Sequence, residues 1–153
     1  MGYVTGEQMK GVIERWLEAW NAHDPAAVAA MYIEDGVSRD MGRDMALLGR
    51  EAIAESLTVY MEAFPDIVWK ASRVGVDPER RTVYLEWHAV GTHAGPYHGV
   101  PATGRSVEVD GCIVFTLSTD GHIVSDIGYW DVASMLRQLG LMPAWPAEGA
   151  VAH

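Results

Sequence analysis

At Pro65-Asp66 the apolar residues of this chain change their spacing, from every third or fourth position to every second. A chain with that switch forms helices first and strands afterwards. A 3.6-residue period keeps one helical face apolar, and a two-residue period keeps one sheet face apolar. Upstream, Val12, Ile13, Trp16, Leu17 and Trp20 fall on one side of a helix of about 16 residues. Asp24 is placed to cap a short second helix, with Pro25 in its first turn, that runs through Met31. Asp35-Gly36 breaks the pattern, and residues 37–48 read as a strand-like piece followed by a loop. A third helix begins at Gly49, presents Ile53, Leu57, Tyr60, Met61 and Phe64, and ends at Pro65.

Downstream, strands are expected over residues 67–76, 81–93, 105–118 and 122–130. Asp77-Pro78-Glu79-Arg80 reads as a turn and Thr119-Asp120-Gly121 as a hairpin, while Gly95 to Gly104 forms a longer connection. Asp131 caps a last short helix bearing Val132, Met135, Leu136 and Leu139, closed by Gly140. Helices grouped ahead of hairpin-linked strands indicate an α+β fold, with one domain over residues 1–143 and a tail over 144–153.

Charge removes several classes of function. The formal net charge is −10 and the eleven Lys and Arg are scattered, so the positive footprint that nucleic acid or an anionic membrane requires is missing. No apolar run approaches the roughly 18 residues of a membrane helix. The start MGYVTGEQMKG lacks the apolar core of a signal peptide, and the single Cys112 allows no internal disulfide; both suit a cytoplasmic protein. The glycine-rich phosphate loop, the dinucleotide fingerprint and the G-x-S-x-G elbow are missing. His88, His93 and His98 suggest a metal, but an odd offset of five sends His88 and His93 to opposite faces of a strand, and His98 lies past Gly95-Pro96. No metal is expected.

The carboxylates carry more promise. Asp126 sits in the apolar strand from Ile123 to Trp130, sharing a face with Val124, Gly128 and Trp130. Either it is buried there, with a raised pKa that suits an acid or base near neutrality, or it faces solvent or caps a neighbouring backbone group. Asp40 lies in the mixed segment Val37-Ser38-Arg39-Asp40-Met41. Six tryptophans (16, 20, 69, 87, 130 and 145) are many for 153 residues, and they either fill a core or wall a site for a flat organic ligand. On the strand over 81–93, Leu85, Trp87, Ala89 and His93 share one face, read here as the inner one with His93 at the mouth of a pocket. The opposite register would turn Glu86 and His88 inward instead.

Three runs then carry a resemblance: Gly91-Thr92-His93-Ala94-Gly95, Gly99-Val100-Pro101-Ala102-Thr103-Gly104-Arg105, and Val107-Glu108-Val109-Asp110-Gly111-Cys112. With Trp20-Asn21-Ala22-His23-Asp24, Gly121-His122-Ile123-Val124, Tyr129-Trp130-Asp131 and Leu136-Arg137-Gln138-Leu139-Gly140, the chain resembles the SnoaL-like polyketide cyclases of the nuclear transport factor 2-like superfamily over about residues 8–143. The resemblance implies a curved antiparallel sheet wrapped as a cone around the amino-terminal helices, homodimers through the sheet, and no cofactor or metal. It places Asp40 at the position of the ketosteroid isomerase base, and Asp126 within about two residues of the cyclase acid/base. The isomerases' oxyanion donors are replaced by Trp16 and by Ile113. The implied enzyme abstracts a proton alpha to a carbonyl with Asp126 or Asp40, His93 donates to the carbonyl oxygen, and Trp16, Tyr32, Leu57, Trp87 and Trp130 hold a small hydrophobic, polyketide-like or aromatic substrate. The alternatives are a non-catalytic small-molecule binder of the same fold and, lower still, an epoxide hydrolase or dehydratase.

Overall fold

A computed structural model describes residues 3–144. The expected tail over 144–153, and Trp145 within it, therefore lies outside the described residues except for Ala144.

Thr5 opens α1 (Gly6–Asn21) through a capping box: its hydroxyl accepts from the Gln8 backbone N–H, and the Gln8 side chain accepts from the Thr5 N–H. Of the apolar stripe read from the sequence, Val12, Ile13, Trp16 and Trp20 are buried and Leu17 is half-buried, and Met9 joins them inside. Asp24 caps α2 (Pro25–Ala30) by accepting from the Ala27 N–H. The chain then forms β1 (Tyr32–Asp40), β2 (Met45–Leu48) and α3 (Gly49–Ala63). The two-residue period produces β3 (Val68–Asp77), β4 (Thr82–Thr92), β5 (Ser106–Leu117) and β6 (Ile123–Trp130), and α4 (Val132–Gln138) ends the series. Among the described residues no helix is long and apolar enough to cross a membrane.

The strands form one six-stranded sheet in the order β2-β1-β6-β5-β4-β3. β3 to β6 are the expected meander. The β1–β2 hairpin docks on its free edge, with β1 parallel to β6, so the sheet is antiparallel at every pair except this one. Asp35-Gly36, read from sequence as a break, is an irregularity inside β1: the pairing with β6 shifts register between Tyr32 and Val37. Further irregularities fall in β3 between Ala71 and Arg73 and at the end of β5, and such bulges add twist to a sheet.

The inner sheet face meets α1, α2 and α3. On β4 the residues Val83, Leu85, Trp87 and Ala89 are buried while Tyr84 and Val90 are exposed, which is the register favoured from sequence. Each large apolar side chain so buried contributes about 1.5–3 kcal/mol relative to exposure. Asn21 fastens the end of α1 to the sheet edge: its side-chain amide donates to the Trp69 carbonyl and accepts from the Trp69 N–H, both at 2.8 Å. That pairing satisfies edge groups of β3 that no neighbouring strand reaches.

Candidate functional site

Where α1, α3 and the inner sheet face do not meet, a cavity of about 120 Å³ remains. An apolar cavity of roughly 150 Å³ accommodates a benzene ring, so this hollow suits one aromatic ring of a ligand. Its walls are mostly aromatic. Trp20, Trp69 and Trp87 stack in series, with centroid separations of 4.6 and 4.0 Å, and Trp16 meets Trp69 edge-on at 6.2 Å. Gly111 makes room for this wall. A Cβ there would lie 2.4 Å from a Trp87 ring atom and 2.8 Å from the Trp130 Cβ.

Asp126 reaches this cavity from β6 and is 5% exposed. The parallel register sets Ser38 directly beside it, and the Ser38 hydroxyl donates to Oδ1 at 3.0 Å. The Tyr32 hydroxyl donates to Oδ2 at 2.5 Å, and the Trp16 indole N–H donates in turn to the Tyr32 oxygen at 3.3 Å. Burial acts against these donors and wins. Loss of water pushes the Asp126 carboxyl from its ordinary value near 3.8 up to about 6, with the Asp40 charge adding to the rise and the Tyr32 and Ser38 hydrogen bonds offsetting part of it. The Tyr32 phenol is pushed well above its ordinary value, by burial first and by the Asp126 charge second, so it stays a donor.

Asp40 also lines the cavity but in a different state. Two residues along β1 from Ser38, it points to the same side, opposite Gly128, which has no side chain to crowd it. The Trp130 indole N–H donates to its Oδ1 at 2.7 Å, the Arg43 backbone N–H donates to the same oxygen at 3.1 Å, and Arg43 Nε donates to Oδ2 at 2.5 Å. Both oxygens of Asp40 are therefore occupied by strong donors.

The mouth is bordered by the connection from Gly95 to Gly104. Its tip is a tight turn in which Tyr97 and Val100 exchange backbone hydrogen bonds at 2.9 Å, with His98 and Gly99 both at positive φ (45° and 82°). The turn lowers Tyr97 into the cavity wall and sets His98 Nε2 at 2.8 Å from Arg43 Nη1.

The structure thus brings Asp126, Asp40, Trp16, Tyr32, Leu57, Trp87 and Trp130 to one cavity. His93 does not reach it. Its backbone extends the β4–β5 ladder past Thr92, so it faces inward as expected, but it lies beyond the cavity, fully buried with its ring 5.3 Å from that of Phe64. Its Nδ1 accepts from the Thr103 N–H, which ties down the base of the mouth connection. Alternation on a strand tells the face and not the depth. Glu86 and His88 are on the outer face, where Glu86 pairs with Arg73 and His88 lies between Asp110 at 2.8 Å and Glu108 at 3.0 Å. These partners, Asp110 first, push the His88 imidazole up. Sequence reasoning passed over Ser38, Arg43, Tyr60 and Tyr97 as site residues. For Ser38 a signal was present, its two-residue offset from Asp40, but it has meaning only once β1 is known to pair with β6.

Residues 10–139 match the family described as SnoaL-like polyketide cyclase. Among solved structures, IdmH from Streptomyces antibioticus, a candidate polyketide cyclase, is 26% identical, with a TM-score of 0.73 over 87% of this chain and 99% of that one. A candidate SnoaL-like polyketide cyclase from Jannaschia is 20% identical, with a TM-score of 0.81 over 90% and 95%. AclR from Streptomyces galilaeus, a candidate hydroxylase, is 21% identical, with a TM-score of 0.80 over 93% and 87%. No curated protein matches the chain significantly.

Proposed function

Because this chain belongs to the SnoaL-like polyketide cyclase family, we propose that it is an enzyme in which Asp126 removes a proton alpha to a carbonyl of a small, flat, polyketide-like or aromatic substrate. The observation that supports this most is the state of Asp126: a carboxylate almost out of water, held by one hydroxyl on each oxygen, with a pKa near 6. At pH 7 such a group is mostly ionised and is a far stronger base than an exposed aspartate, because its proton acceptance is no longer opposed by water. The two hydroxyls leave a lone pair of each oxygen free. Asp40 is the lesser candidate, since proton transfer to it would break an ion pair and an indole hydrogen bond.

The carbanion then attacks a second carbonyl of the same chain or shifts a double bond. The aromatic walls favour the folded, planar arrangement, and holding both reacting carbons in one frame replaces an improbable encounter. His93, expected to donate to the carbonyl oxygen, lies beyond the cavity and does not take this role. Exposed Val68, Tyr84, Val90 and Tyr129 on the outer sheet face support pairing of two copies through the sheet.

The reading is tested by deuterium exchange of the α-protons of a ring-sized aryl 1,3-diketone, followed by NMR. The protein is expected to accelerate exchange, with a rate that rises with pH through a limb near 6 and then levels. Tight binding of the diketone without accelerated exchange would instead identify a binding protein.

A further inference from the structure

Proton abstraction leaves negative charge on a carbonyl oxygen, and something in the cavity must receive it. The α-C–H bond breaks, its proton passes to an Asp126 oxygen, and its electron pair ends on the carbonyl oxygen as an enolate. The donors nearest Asp126 are already spent: Trp16 on Tyr32, and Tyr32 and Ser38 on Asp126 itself. The Trp130 indole is spent on Asp40. The Trp69 and Trp87 indole N–H groups and the Tyr97 hydroxyl, though unpartnered, are neutral donors that bind a full negative charge less strongly than a guanidinium does.

We infer that Arg43 is the group that receives the enolate oxygen, a catalytic residue that neither sequence motif nor family membership assigns. The inference rests on the reading of Asp126 as base. Arg43 lines the cavity, and its guanidinium is fixed in place from two sides. Nε donates to Asp40 and Nη1 lies at 2.8 Å from His98 Nε2, while Nη2 donates to no protein group among the described residues. An arginine donates only, so His98 Nε2 accepts in that contact. The guanidinium carbon also lies 5.9 Å from the centre of the Tyr97 ring, which limits its movement on a third side. A donor held this firmly needs no reorganisation when charge appears before it.

Base and cation are held on the same side of one strand: Asp126 is bonded to Ser38 and Arg43 to Asp40, two residues farther along β1, and both line the cavity. The charge also moves the right way. As Asp126 takes the proton it becomes neutral, and the negative charge shifts onto the oxygen beside Arg43. The interaction is therefore stronger in the transition state than in the ground state, which is the condition for raising kcat. Asp40 serves as a positioning residue for Arg43.

The probe is 4-nitrophenol, whose phenolate is a ring-sized stand-in for an enolate and is seen by its visible absorbance. In the Asp126→Asn protein, the bound phenol is expected to ionise at lower pH than the free phenol. Adding Arg43→Gln is expected to cut the preference for phenolate over phenol about tenfold, and Arg43→Lys, which keeps the cation, to cut it less. With Asp126 present, Arg43→Gln is expected to slow diketone exchange about a hundredfold with KM little changed. An equal phenolate preference with and without Arg43, or no phenolate binding at all, overturns the assignment. Exchange that persists in Asp126→Asn overturns the reading of Asp126 and leaves the phenolate comparison standing, so the two failures are distinct.

Discussion

Replacing Asp126 with Asn is expected to slow α-proton exchange about a thousandfold and, at the same time, to make the folded protein more stable above pH 6. Both effects follow from one fact, that the carboxylate is ionised where little water reaches it. The folded pKa near 6 lies above the ordinary value near 3.8. Between those values the folded chain keeps a proton that the unfolded chain has released. Stability from this group is therefore fully present below pH 3.8 and is lost as pH rises through 6. A difference of about two pKa units corresponds to about 3 kcal/mol, an upper figure because local rearrangement recovers part of it. Asparagine keeps the shape, can still accept from Tyr32 or Ser38, and never carries the charge. Denaturant unfolding at pH 8 should then show the variant about 1–3 kcal/mol more stable than the parent, with the gap closing toward pH 4. A catalytic group that costs stability behaves in this way, whereas a merely structural aspartate, once replaced, destabilises at pH 8.

The second large effect is expected far from the chemistry. Gly95→Ala should destabilise the protein by about 3 kcal/mol and lower Tm by roughly 6–12 °C. A Cβ on Gly95 would lie 2.3 Å from the Glu62 carbonyl oxygen and 3.1 Å from its carbonyl carbon, both backbone atoms at the end of α3 that cannot turn aside. The same close approach lets the Ala94 and Gly95 N–H groups donate to the Ala63 carbonyl oxygen at 3.0 and 3.1 Å, which anchors the start of the mouth connection. Forcing that anchor open displaces Tyr97 from the cavity wall and His98 from Arg43, so ligand binding should weaken together with stability. Gly104→Ala is the control. Gly104 has φ of 69° and nothing within 4 Å of a Cβ, so only the backbone cost of about 1–2 kcal/mol applies and the anchor is untouched. Equal losses in the two variants would show that crowding against α3 is not the cause.

Much of the architecture was legible because each period is a local property. The buried stripe of α1 and the inward set on β4 follow directly from spacing, and their positions agree with the sequence reading to within a residue or two. The hairpin of β1 and β2 was not legible. Its strands are short or mixed in polarity, Gly36 sits at an irregularity, and its parallel pairing with β6 joins segments about ninety positions apart. The same distance explains what was missed at the site. Asp126 stood out by its apolar neighbours, but Ser38 becomes its partner only through that pairing, and Arg43 joins the cavity only because Asp40 and His98 hold it there. His93 shows the converse: its face was right, and its depth along the cone was beyond what alternation encodes.

The most direct measurement is the titration of Asp126 followed by the carbonyl-carbon NMR signal of its side chain, assigned by its disappearance in Asp126→Asn. A midpoint near pH 6 is the result expected of a carboxyl confined among Tyr32, Ser38 and the indole walls. A midpoint near pH 4 would mean that water reaches the group freely, and an aspartate so exposed could not serve as the base on which the proposed chemistry depends.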